Sequence, residues 1–157
     1  MQLAEENYLK NSKALNVNKK MNNYISVTLQ RIGVMELDSK RYLRADVEVE
    51  NIGDEKLYFS PGQVIITQNG NQYDRSFVSS STYSNILGTG DIWLGVKRQG
   101  ALFMEIRDSL DLNLKELIIK TSLSSYQKES RNIGDGNAIL YNRDYVFKYD
   151  LTSVQLM

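Results

Sequence analysis

A strict alternation of apolar and polar residues over 42–51 constrains the fold of this chain more than any other feature. The sequence YLRADVEVEN places apolar side chains at every second position, namely Leu43, Ala45, Val47 and Val49. Successive side chains of a β-strand point to opposite faces, so this pattern predicts a strand with one buried face and one polar face. Asn51 to Lys56 then predicts a turn, with Gly53 suited to a positive φ.

Further β-prone runs occur at short intervals before and after this strand. They cover residues 24–34, 57–60, 63–68, 92–96, 100–106, 113–123 and 145–151. Turn signals separate them at Pro61-Gly62, Asn69-Gly70 and Lys97 to Gly100, and polar loops at 78–91 and 127–137. With turns about every ten residues and no long helix, the chain is predicted to be all-β, an antiparallel sandwich or barrel of about seven to nine strands.

The first 23 residues differ from the rest of the chain. They are rich in Asn, Lys and Glu and contain no apolar h-region, so they do not resemble a signal peptide. We predict a polar leader or tether over 1–23, flexible or with a short helix, followed by one β domain over 24–157. No run of about 18 apolar residues occurs, so no membrane-spanning helix is expected.

The chain contains no cysteine and no histidine. This composition removes thiol nucleophiles, disulfides, imidazole general bases and the usual zinc and copper ligands. Lys and Arg together number 19, as do Asp and Glu, so the formal net charge is zero. A neutral chain without a basic block is not typical of nucleic-acid-binding proteins. We therefore expect no enzyme, no catalytic residues, no cofactor, no bound metal and no nucleic-acid partner.

Two acidic segments are candidates for a calcium site. The first is Asp46, Glu48 and Glu50, which share the polar face of the alternating strand, with about 7 Å between each carboxylate and the next. The second is residues 133–138, with the sequence IGDGNA. Calcium loops combine carboxylates with carbonyl and amide ligands at closer spacing, so we interpret the first segment as a solvated strand face with cationic partners. The second is interpreted as a turn.

Aromatic residues in or beside the polar loop are the best candidates for a recognition surface. They are Phe77, Tyr83 and Trp93, because aromatic side chains on loops of a rigid β scaffold commonly bind partners. The alternative is that they enter the core, which we favour for Trp93 because it lies within the apolar run IWLGV. Tyr83 is expected to be the more exposed candidate.

The order of these motifs resembles a known family. The strand ending at Asn51 and Gly53, the segment with Gly70 and Tyr73, and the later GALFMEI strand led by Gly100 are similar to the telokin-like, immunoglobulin-like domain of unknown function in bacterial and archaeal cell-surface lipoproteins and secreted proteins. The resemblance covers roughly residues 24–123. Where that family usually carries Pro-Gly before the Gly-led strand, this chain has LGTGDIWLGVKRQG.

The resemblance implies an immunoglobulin-like β-sandwich, an extracellular or cell-surface setting and no known catalysis. A cytoplasmic chain is also compatible with the sequence. We expect an interaction module that binds a protein or a glycan through loops and an edge strand. The alternative is a structural subunit that self-associates by strand addition or N-terminal exchange. Contact with a membrane is expected only through an anchor outside the sequence.

Overall fold

The computed structural model describes residues 2–21, 24–54, 56–68, 71–79, 81–106, 114–126 and 139–154. One helix, α1, spans Gln2–Asn11. The strands are β1 Lys13–Met21, β2 Ile25–Leu37, β3 Lys40–Asn51, β4 Leu57–Gln68, β5 Asn71–Asp74, β6 Gly90–Ile92, β7 Lys97–Ile106, β8 Glu116–Tyr126 and β9 Ile139–Asp150. The chain is therefore mostly β, as predicted. The predicted Asn69-Gly70 turn, the 127–137 loop and the 133–138 segment lie outside the described residues.

The strands form two antiparallel sheets. The first has four strands in the order β1-β2-β3-β7, and the second has five, in the order β5-β4-β8-β9 with β6 also paired to β4. Strands that are adjacent in the first sheet are mostly joined by short connections, and the β2–β3 pair extends from Ile25↔Asn51 to Leu37↔Lys40. The alternating segment predicted from sequence lies inside β3, in the middle of this sheet.

One buried apolar cluster contains side chains from both sheets. The four apolar positions of the alternating strand are all fully buried, as predicted: Leu43, Ala45, Val47 and Val49. Phe59 and Ile119 of the second sheet belong to the same cluster. The Tyr149 hydroxyl donates a hydrogen bond of 2.7 Å to the Val27 carbonyl, which joins β9 to β2. The two sheets therefore share a core.

The N-terminal residues are part of the folded structure. The short helix, one of the two predicted alternatives, is confirmed as α1, whereas residues 13–21 form the strand β1 and are not a tether. Good helix formers make up much of α1, with Glu5 in its first turn and Lys10 in its last, where they complement the helix dipole. β1 pairs with β2 from Lys13↔Ile32 to Met21↔Ile25. The composition of β1 is polar, like that of a tether, because edge strands carry charged and polar side chains that discourage pairing with other chains.

Two predicted turns are also corrected. β4 continues through Pro61-Gly62, where its pairing with β8 shifts register between Ser60 and Gln63. A bulge of this kind accommodates proline, which has no backbone N–H to pair. The predicted basic turn at Lys97 to Gly100 is instead the start of β7, paired with β3 from Glu50↔Lys97. The connection lies earlier in the chain, between β6 and β7.

The segment between β5 and β6 passes from one sheet to the other. Arg75 donates its backbone N–H to the Val64 carbonyl of β4, and Ser76 donates its own to the Phe103 carbonyl of β7. Farther along, Ile86 forms a parallel bridge with Ala101. The chain thus covers part of the outer edge of β7.

Gly100 is required by this arrangement. A Cβ at position 100 would lie 2.5 Å from the Leu87 backbone nitrogen, closer than side-chain carbons approach such atoms. The glycine that leads the GALFMEI strand therefore permits the loop to pack directly against β7. A larger residue would displace the loop or the strand.

Candidate recognition surface

The structure separates the three aromatic residues that the sequence suggested as a recognition surface. Phe77 is 90% exposed and Trp93 is 62% exposed, whereas Tyr83 is buried with 9% of its surface accessible. The expected order of exposure for Trp93 and Tyr83 was therefore wrong. Trp93 lies outside the core because the strand predicted over 92–96 ends at Ile92.

Phe77 and Trp93 lie at opposite ends of β7. The backbone N–H of Ser76, the neighbour of Phe77, is bonded to the Phe103 carbonyl at 2.7 Å. Trp93 instead lies just before the first residue of β7, Lys97. A strand advances about 3.3 Å per residue, so these two points on β7 are roughly 20 Å apart. The two aromatic side chains therefore belong to separate surfaces.

Residues 93–96 form a short loop with an exposed apolar surface, which we call the apolar loop. Leu94 and Val96 are exposed together with Trp93. Leaving a large apolar side chain in water forgoes about 2 kcal/mol of burial free energy. Three such side chains within four consecutive positions are typical of a surface that binds a partner.

Backbone hydrogen bonds fix the apolar loop to the end of β3. Gly95 has φ 71°, a left-handed conformation that favours glycine. Its N–H is bonded to the Asn51 carbonyl at 3.0 Å, and the Asn51 N–H is bonded to the Val96 carbonyl at 3.1 Å. The Val96 N–H closes a turn on the Trp93 carbonyl at 3.0 Å. The loop is consequently held on a rigid scaffold.

The side chain of Asn51 holds the same loop from inside the protein. Asn51 is fully buried. Its Nδ2 donates to the Ile92 carbonyl at 2.9 Å, and its Oδ1 accepts from the Gly53 N–H at 3.0 Å. These bonds satisfy polar backbone groups on both sides of the side chain. The sequence pattern placed Asn51 in a turn and did not predict its contact with the Trp93 region, because a bond across 41 positions leaves no local signal.

Charged residues lie beside Trp93. The Lys56 ammonium lies 4.9 Å from the centroid of the Trp93 ring, a cation–π contact. Lys56 also forms an ion pair with Asp91 at 3.8 Å. One part of the indole is therefore covered by a lysine, and the rest remains open to solvent. The surface combines an aromatic centre with a polar rim, as protein interfaces do.

Tyr83 lies in a second buried cluster, on the other face of the first sheet beneath α1. This cluster includes Tyr8, Tyr42 and Phe103. The Tyr83 ring meets the Phe103 ring edge to face, with centroids 5.3 Å apart. Tyr83 therefore stabilises the contact between its loop, the helix and β7, and it is not available to a partner.

Arg44 is the centre of this cluster, which we call the Arg44 cluster. Its Nη1 donates to both carboxylate oxygens of Glu5, at 2.7 and 3.0 Å, and its Nε donates to Asp46 at 2.8 Å. The guanidinium carbon lies 4.0 Å from the Tyr8 ring centroid and 4.9 Å from that of Tyr83. Arg44 and Asp46 were expected on a solvated face, and α1 covers them instead.

The Arg44 cluster changes the acidity of its members. Burial disfavours the charged form of Arg44, but the bonds to Glu5 and Asp46 outweigh it and raise the Arg44 pKa. Burial raises the pKa of Tyr83 to about 12, and it raises that of Tyr8, where the nearby Asp46 charge adds to the effect. Burial likewise opposes ionisation of Glu5, but Arg44 and Tyr83 hold its pKa below the ordinary value. These groups keep fixed charges near neutral pH.

On the polar face of β3, Glu48 also has a cationic partner. Its carboxylate lies 4.0 Å from the Lys97 ammonium. Among the described residues, no group of three or more carboxylates is arranged to hold a metal ion. Nor does any helix in the described part of the chain have the length and apolar character to span a membrane.

The molecule is thus a mostly β domain with two antiparallel sheets and one N-terminal helix. The chain belongs to the family described as a domain of unknown function, DUF4352, whose model matches residues 9–130. The match begins within α1 and includes β1, which agrees with their place in the fold. No curated protein matches the sequence.

Solved structures from two Bacillus species are among those similar to this chain. The YjhA protein from Bacillus subtilis is 17% identical, with a TM-score of 0.52 over 85% of this chain and 96% of that one. A conserved hypothetical protein from Bacillus anthracis is 14% identical, with a TM-score of 0.50 over 83% and 96%. At these identities the similarity concerns the fold alone.

A third structure is longer. It is named a "putative lipoprotein (ycdA)" from Bacillus subtilis and is 16% identical, with a TM-score of 0.48. The alignment covers 87% of this chain but 39% of that protein. The chain therefore spans about two fifths of its length.

Proposed function

We propose that this chain is a non-enzymatic interaction module that binds a protein partner through the apolar loop. The observation that supports this proposal best is the exposure of Trp93 and Leu94 on a loop that the buried Asn51 holds in place. A rigid aromatic side chain loses little conformational entropy on binding, which is why tryptophan is enriched among residues that dominate interface energies.

In this proposal the two sheets form an immunoglobulin-like, telokin-like sandwich, as the resemblance of the sequence motifs implies. The single buried cluster shared by both sheets supports a face-to-face arrangement. The apolar loop would lie at one end of the sandwich, where loops of such domains commonly bind partners. A cell-surface or secreted setting is part of the same proposal and follows from the family resemblance.

A protein partner accounts for the surface better than a glycan does. Two features suit a glycan. Sugar rings stack on exposed aromatic faces such as that of Trp93, and Asp91, which is paired with Lys56, supplies a carboxylate nearby. However, Leu94 and Val96 are exposed in the same loop. Aliphatic side chains gain free energy only when a partner buries apolar surface. We therefore place the glycan second.

Self-assembly by strand addition has less support at the β1 edge. β1 carries exposed Lys13, Lys19 and Lys20, and its pairing with β2 shifts register between Ala14 and Val17. Asn16, within this irregular part, has φ 53°. Lysines and bulges on an edge strand discourage pairing with another chain.

Site-specific photo-crosslinking tests the proposal. A photoreactive amino acid at position 94 is expected to form one defined protein adduct on cells of the organism that makes this protein. The same label at Val17, which is exposed on β1 away from the loop, serves as the matched control. Trp93→Ala in the label-bearing chain is expected to abolish the adduct, because the aromatic anchor is lost.

Three outcomes would contradict the proposal. One is a failure of the position-94 label to form any protein adduct, and another is the same set of adducts from both label positions. The third is an adduct that persists unchanged in Trp93→Ala. A glycan array bound by the wild type but not by Trp93→Ala would favour the glycan alternative over a protein partner.

A further inference from the structure

We propose a second binding site, at the opposite end of β7, in which the outer edge of β5 and the side chain of Phe77 bind an extended peptide with alternating apolar and basic residues. This site is independent of the apolar loop. It combines a strand edge, an exposed aromatic side chain and grooves on both sides of that side chain.

Phe77 stands between two grooves. The first has a volume of about 550 Å³ and is lined mainly by polar residues, among them Gln72, Asp74 and Glu105. The second has a volume of about 340 Å³ and is lined by the apolar Val78, Ile86 and Phe103 together with residues 75–77. Both volumes fall within the range of small-ligand sites. An exposed phenyl ring between two grooves can contact a ligand on each of its faces.

The first groove follows the edge of β5. Residues 72–77 all line it in succession, although neighbouring side chains of a strand point to opposite faces. Tyr73 packs against the main core, whereas the amide of Gln72 donates to Asp74 at 2.8 Å on the exposed face. A groove reached from both faces must run along the backbone between them.

That edge can accept another strand. β4 is the strand that β5 pairs with in the described part of the chain, through Ile65↔Asp74 to Gln68↔Asn71. The Arg75 N–H is bonded to the Val64 carbonyl of β4. Backbone groups of an antiparallel strand alternate in direction, so those of Gln72 and Asp74 point away from β4, toward the groove that both residues line. An extended peptide satisfies such groups by main-chain hydrogen bonds, and side-chain pockets supply specificity.

The exposed carboxylate of Asp74 favours a basic residue in the peptide. Asp74 is exposed and lies on the outer face of β5. Glu105 lies farther along the groove and forms an ion pair with Lys40 at 3.8 Å. The one cation among the groove residues, Arg75, directs Nη2 inward to the Leu87 carbonyl at 3.2 Å. A lysine of the peptide would meet Asp74, and an adjacent apolar residue would pack beside Phe77.

A defined probe tests this site. The probe is a short, capped, fluorescein-labelled peptide of alternating valine and lysine, and binding to the full chain is measured by fluorescence anisotropy. Phe77→Ala is expected to weaken binding about tenfold, the effect of losing an aromatic anchor. Asp74→Asn is expected to weaken it severalfold, and the same peptide with glutamate in place of lysine is expected to bind less tightly.

Two controls separate strand addition from other modes of binding. A peptide with N-methyl groups on alternate residues cannot form one row of main-chain bonds and is expected to lose binding. Trp93→Ala is expected to bind the peptide as tightly as the wild type. The peptide site and the proposed function of the apolar loop can therefore fail independently of each other. Since Phe77 is exposed, thermal unfolding of Phe77→Ala should match that of the wild type.

The proposal is overturned if the valine–lysine peptide shows no binding at the highest soluble concentration. It is also overturned if Phe77→Ala binds as tightly as the wild type, or if N-methylation leaves the affinity unchanged. Changes in the backbone amide signals of residues 72–76 on adding the peptide would support it, whereas changes confined to residues 93–96 would refute it.

Discussion

The Arg44 cluster and the apolar loop place opposite kinds of side chain in environments that their chemistry disfavours. In the first, a guanidinium is buried between tyrosine rings under a helix. In the second, Trp93 and Leu94 are exposed on a loop. The difference shows how each is compensated. The buried charge is balanced by carboxylates within the protein, whereas the exposed apolar surface lacks a comparable cover among the described residues.

Both regions depend on one buried polar residue that joins distant segments. Arg44 links β3 to Glu5 of α1, across 39 positions. Asn51 links the end of β3 to Ile92, across 41 positions. In the Arg44 cluster such a residue completes the folded structure. At the apolar loop it holds a surface that is suited to binding. The following variants test this distinction.

The largest effect is expected for Arg44→Met, which removes the buried cation of the Arg44 cluster. The change leaves the carboxylates of Glu5 and Asp46 without their cation. We expect a loss of about 3 kcal/mol in the free energy of unfolding, the lower end for a broken buried ion pair. The lower end applies because 32% of the Glu5 side chain is exposed. Urea denaturation measures the loss.

Arg41→Met is the matched control for this variant. Arg41 lies on the same strand and is exposed, so its replacement is expected to change stability by less than about 0.5 kcal/mol. Equal losses in the two variants would contradict the structural role assigned to the Arg44 cluster.

A smaller loss is expected for Asn51→Ala. Removal of the buried amide leaves the Ile92 carbonyl and the Gly53 N–H without their side-chain partner. We expect a loss of about 2 kcal/mol, typical of buried groups left unsatisfied. The Trp93 fluorescence should also become less polarised, since the loop loses its internal support. Asn85→Ala, at an exposed loop position, should show neither change; a rigid indole in Asn51→Ala would disprove the positioning role.

The comparison of Tyr83→Phe with Trp93→Ala inverts the order expected from sequence. Tyr83→Phe removes only a hydroxyl, but that hydroxyl is bonded to Glu5 at 3.1 Å. We expect it to cost about 1 kcal/mol. Trp93→Ala removes a whole indole and is expected to cost less than about 0.5 kcal/mol, because the side chain is mostly in solvent. Thermal unfolding decides between them, and a larger loss for Trp93→Ala would contradict the assignment.

The smallest effect is expected on the stability of the protein at acidic pH, through Glu5. The pKa of Glu5 in the folded protein lies below its ordinary value of 4.5. Its ionised form therefore contributes stability above about that pH, and the contribution is lost as pH falls through the folded-state pKa. Glu5→Gln is expected to flatten the fall in melting temperature below pH 4.5. Glu6→Gln, exposed on the same helix, is the control, and an equal slope in Glu5→Gln and the wild type would refute the effect.

The sequence predicted the buried face of β3 and the strand character of β8 correctly, because each segment carries its own periodicity or β-branched composition. It did not predict the ends of β6 and β7. The run IWLGV has strand propensity, yet its last three residues follow the bonds that Asn51 and Gly95 impose. Nor did it find β1, whose edge position selects polar residues like those of a flexible segment.

The class of the fold follows from the sequence alone, since alternation along a strand requires a sheet with one buried face. The absence of cysteine and histidine also restricts the available chemistry, because folding cannot supply a thiol or an imidazole that the chain lacks. Which aromatic residues are exposed to solvent depends on contacts formed in the tertiary structure. Burial of Tyr83 depends on α1. The Tyr83 hydroxyl is bonded to Glu5 of that helix, 78 positions away in the sequence. Exposure of Trp93 depends on Asn51. Such contacts join residues that are distant in the chain, and no local pattern encodes them.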